Sequence, residues 1–270
     1  FIVDAMPRDL EIEYALSALP AHLRDGAAVY VLDPKKGYEK VREGSNGFHA
    51  YVLRTAARRA FNHDWEYAYP VDLFAAMSWD AAGAESCMVV DFDLAALRAA
   101  GTPAKEAKRI VNERFATGHY KAPARAGLSY MLAPVQRVIM NAEMSGFLAT
   151  VNLPHYMFYA PNISDKDIGG QYGTLHPFII DEGPHGFMIK LAGPAEKAAI
   201  NEEHAELIQK LYAFNEKLYL PNVTKRYEGD CWRAEHPPKS PFEGGLLAFR
   251  RLDWIAECFG RFRQLGHEQE

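Results

Sequence analysis

The spacing of apolar positions divides the first third of the chain into one helix and several strands. Residues 8–19 place apolar side chains at helical intervals and end at Pro20, which predicts an N-terminal helix. Three short segments follow at 27–33, 38–43 and 48–55, rich in β-formers and separated by the turn sequences PKKG and GSNG. Because these connections are short, we expect the three strands to be antiparallel neighbours in a meander.

The middle of the chain changes from an irregular pattern to helices and then to strands. Residues 56–90 show no sustained period, and we interpret them as a long ordered excursion. Glycine and proline positions delimit two helices, at 93–101 and 103–118. Further strands are predicted at 127–134, 155–161, 176–181 and 185–192.

Beyond Pro194 the pattern is helical. A long amphipathic helix is predicted over 194–220, and a final helix over 246–266. Strands followed by terminal helices predict the α+β class, an antiparallel sheet with flanking helices and a helical C-terminal segment. We therefore divide the chain into a sheet domain, 1–193, and a helical extension, 194–270, which is either a separate unit or a cap packed on the sheet.

Composition narrows the classes of function. Of the 270 residues, 49% are hydrophobic and 24% charged, which is ordinary for a globular protein, and the net charge of −5 argues against a nucleic-acid partner. No apolar run approaches the ~18 residues of a membrane span. Three widely spaced cysteines, Cys87, Cys231 and Cys258, favour buried thiols, with a Cys231–Cys258 bridge left open.

The stretch PHYMFYAP carries the main candidate for chemistry. Strand alternation places His155, Met157 and Tyr159 on one face, and Tyr156 and Phe158 on the other. The first face combines an imidazole, a thioether and a phenol, which suits the wall of a pocket, whereas the second is typical of plain core. We predict His155 and Tyr159 as catalytic residues, with His155 as general base or metal ligand.

Two other histidines stand at the heads of predicted strands. If the strands are neighbours, His176 and His185 converge with His155 on a divalent transition metal. The alternative is that each histidine makes one local hydrogen bond. In the loop at 162–167, alternating oxygen side chains suit either calcium or a helix N-cap with Asx-turns, and the N-cap needs fewer assumptions.

Three blocks of sequence resemble an uncharacterised family of exported bacterial proteins. The blocks are residues 11–54, PARAGLSYMLAP and PHYMFYAPN, within a span of about residues 10–190. The resemblance implies a signal peptide upstream and a periplasmic or secreted location, but no activity. Family members carry cysteines at the positions of Ala50 and Ser78, so the resemblance also implies that this chain has lost a disulfide partner pair.

These observations predict an exported small-molecule-binding protein, with enzymatic activity left open, whose pocket is centred on His155. The alternative is a non-catalytic subunit or binding module that uses residues 194–270 as a protein–protein interface. In that case the aromatic side chains of the final helix form either the interface or an internal core: Phe249, Trp254, Phe259 and Phe262.

Overall fold

A computed structural model describes residues 3–55, 69, 72–139, 148–171, 174–220 and 233–234. It has the predicted α+β architecture of helices with antiparallel and mixed sheets. The first sheet has the order β2-β1-β3-β4, built from β1 (Ala28–Asp33), β2 (Gly37–Arg42), β3 (His49–Leu53) and β4 (Ala75–Trp79).

The second sheet is antiparallel throughout. Its order is β5-β8-β10-β9, built from β5 (Leu128–Met131), β8 (His155–Tyr159), β9 (Phe178–Asp181) and β10 (Phe187–Leu191). A smaller third sheet has the order β11-β7-β6 and comprises β6 (Gln136–Ile139), β7 (Leu148–Val151) and β11 (Arg233–Ala234).

The helices lie between and after these strands. Those of the first half are α1 (Arg8–Leu16), α2 (Ala21–Arg24), α3 (Ala81–Gly83), α4 (Val89–Ala99) and α5 (Ala104–Ala116), with a π-helical turn (Ala84–Met88) joining α3 to α4. Those of the second half are α6 (Asp165–Ile168), α7 (Pro194–Glu203), α8 (Ala205–Phe214) and a 3-10 turn (Glu216–Leu218).

The predicted meander is only half right. β1 and β2 form the expected antiparallel hairpin, but β3 lies on the other side of β1 and runs parallel to it. The connection after β2 crosses under the start of β1, where the backbone N–H groups of Ser45 and Asn46 donate to the Gly26 carbonyl. A Cβ on Gly44 would lie 2.4 Å from the Ala28 nitrogen, so a glycine permits this close passage.

The interpretation of residues 56–90 as an excursion misses β4 and the helical start at Ala81. All five residues of β4 are buried, so the strand has no apolar–polar alternation to mark it. β4 is buried on both faces and pairs with β3 along its whole length.

β4 also connects the three sheets. The Ser78 hydroxyl bonds to the backbone of Tyr130 on β5, and the Asp80 N–H donates to the Leu128 carbonyl at 3.3 Å. At the other end of β4, Phe74 and Arg137 exchange backbone hydrogen bonds, which attaches β6.

Helices cover the first sheet on both sides. α1 and α8 share one apolar core with β3 and β4, to which Tyr14, Val52, Ala76, Ile208 and Leu211 belong. The Tyr14 hydroxyl in this core is a shared donor, 2.7 Å from the Val135 carbonyl oxygen and 2.9 Å from that of Phe74. The opposite core combines the π-helical turn with residues of both large sheets.

The predicted helix over 194–220 is divided at His204, whose backbone (φ −105°, ψ 20°) leaves the helical region. The second part, α8, packs on α1 and the first sheet. The division of domains at residue 193 stays a prediction, because residues 235–270, with the expected final helix, lie outside the described residues.

Candidate functional site

His155 begins β8 between two neighbouring strands. Its cross-strand partners are Met131 on β5 and Leu191 on β10, and only 6% of the residue is exposed. Nδ1 lies 2.7 Å from the Leu153 carbonyl oxygen, which also accepts a hydrogen bond from Gln136 Nε2 at 3.4 Å. His155 and Gln136 therefore fix the turn that leads from β7 into β8.

The bond to Leu153 also sets the tautomer of His155. A carbonyl oxygen only accepts, so Nδ1 carries the hydrogen and Nε2 presents its lone pair. Burial lowers the pKa of the imidazole, against the opposing effect of the Leu153 bond, and keeps the ring neutral near pH 7. Within the described residues the bond to Leu153 is the hydrogen bond that holds the ring, and Nε2 takes no part in it.

The hydroxyl of Tyr159, the second candidate, forms its hydrogen bond away from His155, with Asp80. It donates to Asp80 Oδ1 at 2.7 Å, and the same carboxylate accepts from the backbone N–H groups of Gly83 (2.9 Å) and Leu128 (3.2 Å). Burial and the neighbouring Asp80 carboxylate raise the pKa of Tyr159. Asp80 thus ties the start of α3 to β5 and β8, and Tyr159 completes that junction.

The burial of the two faces of β8 is the reverse of what we predicted. Met157 and Tyr159 belong to the apolar core shared by both large sheets, whereas Tyr156 and Phe158 are only half-buried. The Tyr156 hydroxyl donates to Glu196 at the start of α7. Both faces carry bulky apolar side chains, so the composition of the strand does not distinguish the inner face from the outer one.

The three histidines do not assemble a metal site. His176 is exposed, and His185 packs edge-on against the Phe115 ring with centroids 4.9 Å apart. In the part of the chain that the structure describes, no three His, Cys, Asp or Glu side chains are grouped to hold a metal ion.

The acidic loop at 162–167 forms the predicted helix cap. Ser164 and Asp167 make a capping box at the start of α6, and Asp165 Oδ1 accepts the Ile179 N–H at 2.7 Å. These carboxylates therefore hydrogen-bond to the backbone of their own loop and of β9.

Cys87 is a buried thiol in the π-helical turn, as predicted, and Cys231 and Cys258 lie outside the described residues. The two positions that the resemblance treats as a lost cysteine pair, Ala50 and Ser78, lie directly opposite each other on β3 and β4.

A buried charged cluster escaped the sequence analysis. Arg54, at the end of β3, is fully buried and makes a bidentate pair with Asp72, both contacts being 2.8 Å. Its guanidinium stacks on the Phe74 ring, 4.2 Å from the centroid. The signal in the sequence is a basic residue that directly follows an apolar strand, in AYVLR.

Glu11 of α1 lies in the same cluster and is fully buried. Its Oε1 accepts the Leu32 N–H at 2.9 Å. Burial raises the pKa of Glu11 to about 7, although the Leu32 bond and Arg54 oppose the rise. Glu11 Oε2 and Arg54 Nη1 are buried, and neither has a hydrogen-bond partner among the described residues.

No family model matches the chain, and neither the curated proteins nor the solved structures contain a match. Among the described helices, none combines the length and the apolar character needed to cross a membrane.

Proposed function

We propose that the protein binds a small molecule through Nε2 of His155. The observation that carries this proposal is the asymmetry of the imidazole: Nδ1 is fixed on the Leu153 carbonyl, while Nε2 is an acceptor with no hydrogen-bond partner among the described residues. A ring held by one nitrogen keeps the other in a fixed orientation for a ligand.

The surroundings of His155 restrict the ligand class. Met131 and Leu191 flank the ring on the neighbouring strands, and both are apolar and buried. A small, mostly apolar molecule with one N–H or O–H donor suits such an anchor. If the protein is an enzyme, a neutral imidazole near pH 7 is competent as a general base toward that donor.

Tyr159 has no part in this site. It is four residues along the strand from His155, which corresponds to about 13 Å. Its hydroxyl is already bound to Asp80. The proposal therefore assigns ligand binding to His155 and a positioning role at the α3 junction to Tyr159.

Two substitutions separate the roles of the two ring nitrogens. His155→Asn places an amide near Nδ1, so it preserves the donor to Leu153 and removes Nε2. His155→Gln reaches toward the position of Nε2 but loses the Leu153 bond. A library of small apolar molecules with one donor group is tested by thermal shift on the wild type and both variants, with the exposed His176→Gln as control.

We expect at least one compound to stabilise the wild type and His176→Gln, and to lose its effect in His155→Asn. His155→Asn should keep nearly the wild-type melting temperature. His155→Gln should lose about 1–3 kcal/mol in the free energy of unfolding, because its amide is not placed to donate to the Leu153 carbonyl. Hits that stabilise His155→Asn as strongly as the wild type would refute the proposal. The location outside the cytoplasm stays a prediction, which fractionation of native cells would test.

A further inference from the structure

The cluster around Arg54 contains two polar atoms that need a further partner. Arg54 and Glu11 are both fully buried, and neither Glu11 Oε2 nor Arg54 Nη1 has a hydrogen-bond partner among the described residues. The other polar atoms of the two side chains are bound. Glu11 Oε1 accepts the Leu32 N–H, and the Nε and Nη2 groups of Arg54 donate to the Asp72 carboxylate. Because an unpaired acceptor and an unpaired donor are costly inside a protein, each of the two atoms requires an explanation.

The two atoms belong to neighbouring groups at one end of the first sheet. Glu11 binds the backbone of Leu32, whose cross-strand partner is Tyr38. The Tyr38 hydroxyl in turn accepts the backbone N–H of Arg54 at 3.3 Å. Burial raises the pKa of Glu11, and both the Leu32 bond and the nearby Arg54 charge oppose the rise. Even so, the carboxyl and the guanidinium form no ion pair, since their oxygen and nitrogen atoms are more than 4.0 Å apart.

We propose that one buried water molecule joins Glu11 Oε2 to Arg54 Nη1. A water that forms two hydrogen bonds of about 2.8 Å each connects polar atoms that are too far apart for a direct contact. It donates to the carboxylate oxygen and accepts from the guanidinium. Buried waters in proteins typically occupy this kind of position, between buried polar groups that no other part of the chain satisfies.

The charges around the two atoms exclude other ligands. The carboxylates of Glu11 and Asp72 repel an anion, and the guanidinium of Arg54 repels a metal cation. An apolar molecule satisfies neither atom. A neutral molecule that both donates and accepts is required, and the complete burial of both side chains restricts it to the smallest one, water. Water also fits the protonated form of Glu11, because it then accepts from the Oε2 hydroxyl instead of donating to it.

The water completes a polar joint between several parts of the chain. Arg54 Nη2 donates to the Asp4 carbonyl in the N-terminal segment at 2.8 Å, and Arg98 of α4 donates to the Arg54 carbonyl at 2.7 Å. Through the water, Glu11 connects α1 to the same arginine without a direct ion pair. The inference goes beyond the proposed function and does not depend on it, because none of these groups contacts His155.

High-resolution crystal structures of the full chain test the proposal. In the wild type, we expect a single water peak within about 2.6–3.2 Å of both Glu11 Oε2 and Arg54 Nη1. Glu11→Gln should retain the water, because its carbonyl still accepts from Leu32 and its amide donates to the water. Glu11→Met, of similar length but without polar atoms, should lose it. The matched control is Glu13→Met, a half-buried position on the same helix, which should leave the peak unchanged.

Oxygen-17 relaxation dispersion gives a second measurement in solution, because it counts the waters that stay inside the protein for longer than the protein takes to tumble. The amplitude should fall by the equivalent of one water in Glu11→Met and should stay unchanged in Glu11→Gln and Glu13→Met. If Glu11→Met does not fold, the wild-type crystal structure still decides the result.

Three results would overturn the proposal. The first is a direct contact between Glu11 Oε2 and Arg54 Nη1, or a protein group that binds either atom in place of the water. The second is an anomalous scattering signal that identifies the peak as an ion. The third is an equal dispersion amplitude in the wild type and in folded Glu11→Met.

Discussion

Ser78 and Tyr130 exchange two hydrogen bonds across the junction of the two large sheets. The Ser78 hydroxyl donates to the Tyr130 carbonyl at 3.0 Å and accepts from the Tyr130 N–H at 3.1 Å. A single side chain thus substitutes for one rung of a β-ladder between β4 and β5.

Removing this hydroxyl should destabilise the protein. Ser78→Ala leaves two backbone polar groups without their partner, and we expect a loss of about 1–3 kcal/mol in the free energy of unfolding. Ser129 provides a matched control, because its hydroxyl is buried and has no hydrogen-bond partner in the part of the chain that the structure describes. Ser129→Ala should be neutral or stabilising in urea denaturation; an equal loss in both variants would contradict the special role of Ser78.

Glu11 should make the stability depend on pH. Its pKa is about 4.5 when unfolded and about 7 when folded, so the protonated form favours the folded state. The resulting contribution, on the order of 3 kcal/mol, is complete below pH 4.5 and is lost as the pH rises to 7. Glu11→Gln keeps the acceptor for Leu32 and removes the charge, so above pH 7 it should be more stable than the wild type.

Urea denaturation of the wild type and Glu11→Gln at pH 5 and pH 8 checks the direction of this pH dependence. Glu13, which is half-buried and pairs with Lys210 at the surface, serves as the control, and Glu13→Gln should change little at either pH. A variant Glu11→Gln that is less stable than the wild type at pH 8 would show that the carboxylate is stabilised by Arg54 rather than destabilised by burial.

His204, at the break between α7 and α8, should give the stability the opposite dependence on pH. Arg24 Nη2 lies 3.1 Å from His204 Nε2 and donates to it, which requires a neutral ring. Burial, and then the Arg24 charge, lower the pKa of His204, while Glu203 and Glu13 oppose the shift. Its contribution to stability is therefore present above pH 6.5 and is lost as the pH falls below that value.

The difference between wild type and His204→Gln isolates this effect from other titrating groups. On lowering the pH from 7.5 to 5, the wild type should lose stability relative to the variant, whose amide oxygen accepts from Arg24 at every pH. Parallel pH profiles for the two proteins would refute the assignment.

Gly83 should tolerate no side chain. Its backbone is helical (φ −71°, ψ −34°), but a Cβ would lie 2.0 Å from the Tyr159 hydroxyl oxygen and 2.7 Å from Trp79 Cε3. We expect Gly83→Ala to cost about 1–3 kcal/mol through overpacking and to displace Tyr159 from Asp80.

A double variant with Tyr159→Phe tests the mechanism, because removing the hydroxyl relieves the shortest contact and should recover part of the loss. Gly193→Ala, where a Cβ meets nothing within 4 Å, is the control and should change the melting temperature little. Equal losses for Gly83→Ala in the presence and absence of the Tyr159 hydroxyl would contradict the steric explanation.

The elements that could be predicted from the sequence are those with local signals. Glycine and proline delimit α5, and short runs of β-formers mark β8 and β10. The position of β3 could not be predicted in this way, because pairing with β1 depends on a loop that passes under the sheet. β4 has no alternation, since it is buried on both faces.

Contacts between residues distant in sequence also limited the prediction of the candidate site. The sequence placed His155 on one face of a strand with Tyr159, but it could not show that the Tyr159 hydroxyl donates to Asp80, 79 positions away. It also missed Arg54 and Glu11, because a charge is expected in solvent until a partner distant in sequence is known to cover it.

The Tyr14 hydroxyl has a consequence for the order in which the chain acquires its structure. Its two acceptors, the carbonyls of Phe74 and Val135, are 60 and 121 positions further along the chain. During synthesis from the N-terminus, α1 therefore leaves the ribosome long before the second of these groups exists. Until Val135 has been made, the Tyr14 hydroxyl lacks one of its two native acceptors, so α1 cannot complete its buried hydrogen bonds, and a chaperone has access to the helix during that period.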